Sequence, residues 1–224
     1  MRESYTRYPR AILWLLREGT VTIGGSTPDS RPEFAAEVRP FYISKTPISN
    51  VQYEAYDPEH PRSAASPHDD GPVVGVAFRD ALGYCDWYAR VSRKPMRLPT
   101  EVEWELACRA GRQGRRFFSD ALADLYVCDA ENSSGVLEPL QANKPNPFGL
   151  HGMLGGVWEW TGSLYRPYPV NDGDGRDDPS VPGRRVLRGG SFRTPRADLD
   201  CGVRRAEDPD ARHDDVGFRI ARSL

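Results

Sequence analysis

The sequence predicts one irregular α+β domain with little regular secondary structure. Its 224 residues include 21 glycines and 20 prolines, which interrupt helices and strands and favour turns. Segments with helical or strand periodicity are short, and neither an internal repeat nor a linker divides the chain. A chain of this length is long enough for one large domain or two small ones. We expect residues 1–18 to be an N-terminal extension and residues 19–224 to form the domain.

The first elements are short. Apolar residues alternate within 19–25 and predict a strand, and residues 41–44 (Phe-Tyr-Ile-Ser) predict a second. Pro47 occupies a first-turn position and predicts a short helix that extends to Ala55. Residues 56–70 are rich in Pro, His, Ser and Asp and predict a loop. The compact apolar run 72–76 predicts a third strand.

Two longer helices follow. Within residues 78–92 the apolar residues recur at a spacing of three or four and form one apolar face, which comprises Ala81, Leu82, Cys85, Tyr88 and Ala89. A second helix begins after Thr100, because Thr100 and Glu103 have the spacing of a capping box. In that motif each side chain bonds the backbone amide of the other residue. From Gly111 onward there is little periodicity, and only residues 186–188 and 217–220 predict strands, the last two of the chain.

Four blocks of sequence resemble, in order, the formylglycine-generating enzyme family, whose members are also called sulfatase-modifying factors. The third block ends in Gly-Val-Trp-Glu-Trp and the fourth contains Arg-Gly-Gly-Ser-Phe; the blocks are 41–45 with 50–53, 72–76 with 97–105, 146–160, and 185–192 with 217–219. The resemblance covers nearly the whole chain from about Gly19. It implies a C-type-lectin-like fold of the formylglycine-generating enzyme type, with low regular secondary structure.

The resemblance also implies copper chemistry that this sequence does not support. Family enzymes oxidise a substrate cysteine with molecular oxygen at a pair of copper-binding cysteines, since soft thiolates suit Cu(I). These cysteines lie three and eight residues after the serine of Arg-Gly-Gly-Ser. Here those positions hold Thr194 and Leu199, so we expect no copper site. Cys201, ten residues after Ser191, is the only candidate catalytic residue, and its alternative interpretation is a small buried apolar residue.

Calcium is the second implied cofactor. Family members often carry Gly-Asn-Val-Trp-Glu-Trp, with the Asn and Glu near Ca²⁺, but here Gly156 replaces the Asn while Glu159 remains. Asn132 is the candidate for another calcium site of the family. Losing one oxygen ligand weakens a calcium site without abolishing it. The alternative for Glu159 is a buried, hydrogen-bonded carboxylate, and we expect Trp158 and Trp160 to be core residues.

The resemblance places a ligand groove along residues 190–215. This segment is polar and rich in Arg and Asp, which suits contacts to carboxylates or a peptide backbone; the candidate ligand-binding residues are Phe192, Arg193, Thr194, Arg196, Asp198, Asp200, Arg205 and His213. The alternative is an exposed loop whose charges pair with one another and contribute little.

Residues 192–215 also resemble the variable region of proteins diversified by retroelements. Those systems typically convert Asn codons, and the available products exclude Lys, Met, Gln, Glu and Trp. Across this segment only Glu207 breaks that exclusion, and no Asn remains. A GC-rich genome would also deplete Lys and Asn, so both explanations stay open.

The bulk composition limits the partners. The formal net charge is -2, which gives no general attraction to nucleic acid or to acidic membranes. The N-terminal apolar run 11–16 is too short for an export signal or a membrane span, so we expect a cytoplasmic protein. The sequence therefore predicts a non-canonical family member that binds a peptide, protein or small ligand at the 190–215 groove. The alternatives are an oxygen-dependent oxidase acting on protein cysteine or a small metabolite, and a retroelement-diversified binding protein.

Overall fold

The computed structural model describes residues 9–171 and 173–224. Its helices are α1 (Asn50–Glu54), α2 (Phe78–Ser92) and α3 (Glu101–Arg109). Its strands are β1 (Leu13–Leu16), β2 (Gly19–Ile23), β3 (Phe34–Val38), β4 (Phe41–Ser44), β5 (Trp158–Leu164), β6 (Arg185–Arg188), β7 (Arg204–Glu207), β8 (Val216–Phe218) and β9 (Ala221–Ser223). Turns and irregular loops connect them, which confirms the predicted irregular α+β architecture.

The strands form three groups. β4 lies between β1 and β9 in an antiparallel sheet, so the two ends of the described chain meet in one sheet. β2 and β3 form a separate antiparallel hairpin. The third sheet has the order β7-β6-β5-β8, in which β5 is antiparallel to β6 and parallel to β8. This last sheet carries the Arg-Gly-Gly-Ser turn after β6 and most of the predicted groove.

The domain boundary differs from the prediction. β1 pairs with β4 along its whole length, so residues 13–16 belong to the sheet rather than to an extension before Gly19. The run 11–16 is entirely apolar and shows no polar–apolar alternation, so no strand was predicted there, although Trp14 and Leu15 are exposed in β1. Residues 1–8 of the expected extension lie outside the described residues.

The helices follow their local sequence signals. α2 has the predicted bounds, and its apolar face buries Ala81, Tyr84, Cys85 and Tyr88. In α3 the Thr100 side chain accepts from the Glu103 amide, and Glu103 accepts from the Thr100 amide, which confirms the capping box. The first helix is shorter than predicted, because Ser49 rather than Pro47 starts it through a second capping box.

The predicted strands agree less well with the structure than the predicted helices do. The predictions at 19–25, 41–44 and 186–188 correspond to β2, β4 and β6, but residues 72–76 are not a strand. Pro72 has no amide hydrogen and makes only an isolated bridge to Ser49. Gly75 then turns the chain with a φ of +74°. The three valines of this run pack into the core without a sheet.

The core has two large apolar clusters, one between α3 and strands β2, β3 and β4 and one between α2 and strands β5, β6 and β8. Several charged side chains are buried beside them. Trp104, Trp160 and Phe218 are fully buried, and Trp158 is nearly so, as predicted for the two tryptophans of the third block. Three arginine–glutamate contacts without solvent exposure join neighbouring elements: Arg188–Glu105, Arg204–Glu101 and Arg219–Glu159. These buried pairs fix α3 and the end of β8 against the sheet that supports the 190–215 segment. Within the described ranges, none of the helices is both long and apolar enough to cross a membrane.

Candidate functional site

The Arg-Gly-Gly-Ser turn sets the geometry of the candidate site. Gly189 and Gly190 have φ values of +102° and +75°, a region that residues with a Cβ atom rarely adopt. A Cβ atom on Gly190 would lie 2.5 Å from the Leu199 side chain. The turn therefore needs glycine both for its backbone conformation and for the close packing of Leu199.

The two positions implied for copper ligands are occupied by structural side chains. Leu199 is 1% exposed and belongs to the main apolar cluster. The Thr194 hydroxyl accepts a hydrogen bond from the Ser191 amide at 2.9 Å. Neither side chain offers a soft ligand, so this pair of positions does not fit Cu(I).

Phe192 and Arg193 begin the predicted ligand-binding segment and face different environments. Phe192 is buried with Val74, Leu137 and Val157, so it is a core residue rather than an exposed anchor. Arg193 forms a two-pronged ion pair with Asp214, in which both side chains are about half exposed. The Asp214 pKa is lowered by the hydrogen bonds from Arg193.

Arg196 lies in a cluster of acidic side chains. Its guanidinium donates to Asp129 at 2.7 Å and to Asp124 at 2.6 Å, and its amide donates to Glu131. Burial alone would raise the Asp129 pKa, but the hydrogen bonds from Arg196 and from the Glu131 amide hold it below its usual value. Asp198, two residues later, is exposed.

A third charged group joins β7 to the loop before β8. Arg205 donates to Glu207, and a His213 ring nitrogen lies 3.1 Å from the same carboxylate. Arg205 also lies over the Trp158 ring, 5.9 Å from its centroid. The predicted residues Arg193, Arg196 and Arg205 thus each have an acidic partner, which is the arrangement expected for the self-paired alternative.

Asp200 is buried under the segment. Its carboxylate accepts from the Gly202 amide at 2.8 Å, from the Ser26 hydroxyl at 3.0 Å and from Arg115 at 3.2 Å. These contacts join the 190–215 segment to the loop after β2 and to the loop after α3. Asp200 therefore has a structural role toward the β2–β3 side of the molecule.

Cys201 has a neighbour that the sequence did not indicate. It is fully buried, and its thiol lies next to that of Cys108 on α3. Burial, and then the Cys201 thiol, raise the pKa of Cys108 well above its usual value. A buried neutral thiol is a poor nucleophile. The environment suits the interpretation of Cys201 as a small buried residue that packs in the core.

The residues expected near calcium use their oxygen atoms elsewhere. Glu159 accepts from Trp104 Nε1 at 2.7 Å and from Arg219 Nε and Nη2 at 2.6 and 2.7 Å. The Gly156 carbonyl accepts from the Phe192 amide, and the Asn132 side-chain oxygen accepts from the Asp129 amide. Calcium needs six to eight oxygens around one point, and these atoms do not fit such a cage. The geometry of Glu159 is that of a buried, hydrogen-bonded carboxylate.

Other arrangements of metal ligands are also absent from the part of the chain that the structure describes. In residues 9–171 and 173–224 no group of three or more His, Cys, Asp or Glu side chains is placed to hold a metal ion. Calcium binding stays a prediction from the resemblance.

Sequence reasoning identified the basic residues of the segment but missed their partners. Asp129 and Asp124 lie 67 and 72 positions before Arg196, and Cys108 lies 93 positions before Cys201. No local pattern links such distant residues. Asp214 and Glu207 lie within the segment, but its alternating Arg and Asp residues allow many pairings.

Comparison with known proteins gives the fold and the family. The model of a family described as "Sulfatase-modifying factor enzyme 1-like domain" matches residues 3–224. The solved structure of "Treponema denticola variable protein 1" superimposes with a TM-score of 0.82 and 20% identity, covering 95% of each chain. At that identity the likeness shows the fold alone.

Two mouse relatives carry contrasting names. The chain is 30% identical over 182 residues to "Formylglycine-generating enzyme", which covers 73% of this chain and 47% of the relative. It is 36% identical over 170 residues to "Inactive C-alpha-formylglycine-generating enzyme 2", which covers 68% of this chain and 49% of the relative. The chain thus spans about half the length of these curated relatives. Similarity of this kind extends both to a relative named as an enzyme and to one named as inactive, so it does not decide between them.

Proposed function

The chain belongs to the family of sulfatase-modifying factor enzyme 1-like domains, and we propose that it is a binding member of that family without copper-dependent formylglycine synthesis. Its ligand is a peptide or protein that contacts the exposed side chains of residues 193–214. The activities that relatives are named for are not carried over with the family, because function depends on the site rather than on the fold.

The observation that carries the proposal is the environment of Thr194 and Leu199. Leu199 is buried against Gly190, and Thr194 caps the turn through its hydroxyl. Both side chains stabilise the Arg-Gly-Gly-Ser turn where the resemblance implies two metal-binding thiolates. The turn therefore keeps its conformation, while side chains without sulfur occupy the two positions implied for the copper-binding cysteines.

The binding part of the proposal is supported by the exposed ion pairs. Arg193 and Asp214 are each about half exposed, and Arg205 is partly exposed beside the largely buried Glu207. Arginine forms planar, two-pronged hydrogen bonds to carboxylates and other oxygen acceptors. Exchanging an exposed partner for a ligand carboxylate requires little desolvation. A surface of this kind suits a protein or peptide partner with its own mixed charges.

Copper titration tests the non-oxidase part. Purified protein is titrated anaerobically with Cu(I) against a competing chelator, and the wild type is expected to form no tight equimolar complex. The double variant Thr194→Cys/Leu199→Cys restores thiols at both positions and is expected to gain one tightly bound Cu(I). Thr194→Ser/Leu199→Ser is the matched control, because it makes a similar change in side-chain volume without adding sulfur.

The same titration addresses the oxidase alternative. Its supporting observation is that Cys108 lies beside Cys201, which supplies two sulfur atoms. A tight equimolar complex of the wild type that disappears in Cys201→Ala would overturn the proposal and favour that alternative. Unchanged weak binding in Cys201→Ala would leave Cys201 as a packing residue.

Selection from a displayed random peptide library tests the binding part. Peptides retained by the wild type are measured by calorimetry against Arg193→Ala and against Arg39→Ala, an exposed arginine between β3 and β4. We expect a loss of about tenfold or more for Arg193→Ala, the size of a charge-assisted hydrogen bond, and no change for Arg39→Ala. Peptides that bind all three proteins equally would contradict the assignment of this surface. A cytoplasmic location stays a prediction that cell fractionation can test.

A further inference from the structure

A cavity of about 700 Å³ lies outside the predicted ligand-binding surface. It is bounded by β1 and β2, the C-terminal end of α3, and the loop 111–115 that follows α3. Sites for small molecules commonly have volumes of roughly 300–1,000 Å³. Among the eight residues predicted to bind a ligand, Asp200 alone lines it.

One part of the lining is apolar and partly open to solvent. Its apolar side chains come from both neighbouring strands, from α3 and from the loop before β5: Trp14, Leu16, Val21, Leu106 and Phe148. Trp14 is 47% exposed, an unusual exposure for so large an apolar side chain. A ligand that covered this indole would remove apolar surface from water, which is favourable in proportion to the area covered.

Another part of the lining is cationic. The loop 111–115 contributes two arginines, Arg112 and Arg115, and no carboxylate. Arg115 already contacts Asp200 and the Ala197 carbonyl. Arg112 is exposed, and its guanidinium makes neither a hydrogen bond nor an ion pair to any residue that the structure describes. This contrasts with Arg193, Arg196 and Arg205, which all have acidic partners.

The remaining charged residues of the lining lie near carboxylates. Arg17 and Glu18 come from the turn between β1 and β2, and Arg31 and Glu33 come from the turn before β3. Arg109 donates to Glu105 beneath the cavity, a carboxylate that also pairs with Arg188. Arg17 and Arg31, like Arg112, have no ion-pair partner among the described residues, but each has a carboxylate within two positions in the sequence, which Arg112 lacks.

The backbone of the same loop adds donors. Gly111 and Gly114 have φ values of +76° and +101°, and a Cβ atom on either would meet nothing within 4 Å. The amides of Gly111, Gln113 and Gly114 donate to no described backbone or side-chain acceptor. Turns that combine open amides with arginine are suited to bind anions.

We propose that this cavity is a binding site for an amphipathic anion, with an apolar body against Trp14 and Leu106 and a carboxylate or phosphate head group held by Arg112 and the 111–115 loop. The apolar wall supplies affinity that does not depend on charge. Arg112 supplies the preference for an anionic head group. A free metabolite and a lipid share this chemistry.

Calorimetric titration with three matched ten-carbon probes tests the proposal. Decanoate and decyl phosphate carry the two candidate head groups, and decanol is their neutral counterpart, each used below its aggregation concentration. The wild type is expected to bind at least one of the anions about tenfold or more tightly than decanol, because a charge-assisted hydrogen bond from Arg112 is made to the anions and not to the neutral hydroxyl. The preference between the two anions identifies the head group.

Variants separate the two parts of the site. Arg112→Gln is expected to weaken binding of the anion about tenfold or more without changing the affinity for decanol. Trp14→Ala is expected to weaken the binding of both the anion and decanol. Arg39→Gln is the control, because Arg39 is exposed, lies outside the lining and has no described ion-pair partner. Equal binding of decanol and both anions by the wild type would overturn the proposal, and so would the absence of binding by any probe. Retention of the anion preference in Arg112→Gln would also overturn it.

Discussion

The arginines of the buried layer and those of the 190–215 surface form similar contacts in opposite surroundings. Arg219 and Glu159 are fully buried and share two hydrogen bonds, whereas Arg193 and Asp214 share two hydrogen bonds while about half exposed. Removing one member of a buried pair leaves a charge without solvent, but an exposed charge is rehydrated at once. Similar bonds therefore fix the scaffold in one region and remain exchangeable in the other.

This difference explains how one residue type serves both fold and function. The buried arginines hold β6, β7 and the end of β8 against α3 and β5, so the 190–215 segment rests on a rigid support. The exposed arginines above it can release an acidic partner in favour of a ligand. Arg112, at the cavity, represents a third situation, because its guanidinium has no partner among the described residues.

The largest expected effect comes from breaking a buried pair. Arg219→Met leaves Glu159 buried with Trp104 as its remaining side-chain donor, and removing one partner of a buried pair costs about 3–5 kcal/mol. Urea denaturation, followed by circular dichroism, measures the loss in the free energy of unfolding. The double variant Arg219→Met/Glu159→Gln removes the stranded charge, keeps an acceptor for Trp104 and should recover part of the loss. A single-variant loss below about 1 kcal/mol would contradict the contrast between the two regions.

A helix cap gives an intermediate effect. Thr100→Ala removes the acceptor for the Glu103 amide at the start of α3, and loss of such a cap costs about 1 kcal/mol. Ser119→Ala is the matched control, because Ser119 precedes a 3₁₀ turn at the N-cap position without a side-chain cap bond. The same denaturation measurement should give a clear loss for Thr100→Ala and almost none for the control. Equal losses would show that the capping box contributes nothing specific.

The elements found from the sequence are those with local signals. The Thr100–Glu103 spacing and the apolar face of α2 involve neighbours within a few residues, so they could be read without knowing the fold. β5 was not predicted, although its first four residues alternate between apolar and polar types, because this alternation is short and ends at Gly162. Six of its seven residues are buried, including Glu159, whose partner Arg219 is distant in sequence. β1 was missed because its four residues are all apolar and show no alternation, although Trp14 and Leu15 are exposed on an edge strand.

The candidate site also has some features with a local sequence signal and others without one. The substitutions at Thr194 and Leu199 were visible in the sequence, because the Arg-Gly-Gly-Ser turn fixes their position. The burial of Phe192 and Asp200 was not, since it depends on contacts with residues such as Leu137 and Ser26 that are distant in sequence. The cavity could not be predicted either, because β1, α3 and the 111–115 loop come together only in the folded chain.

The smallest expected effect is at the exposed surface. Arg193→Ala breaks the pair with Asp214, and exposed pairs contribute about 0–1 kcal/mol. The loss in the free energy of unfolding should shrink in about 1 M NaCl, because salt weakens the attraction between solvent-exposed charges. Urea is the appropriate denaturant, because guanidinium chloride is itself a salt. If Arg193→Ala cost as much as Arg219→Met, this pair would be part of the scaffold and unavailable to a ligand; a small, salt-sensitive loss combined with weaker peptide binding would assign Arg193 to recognition.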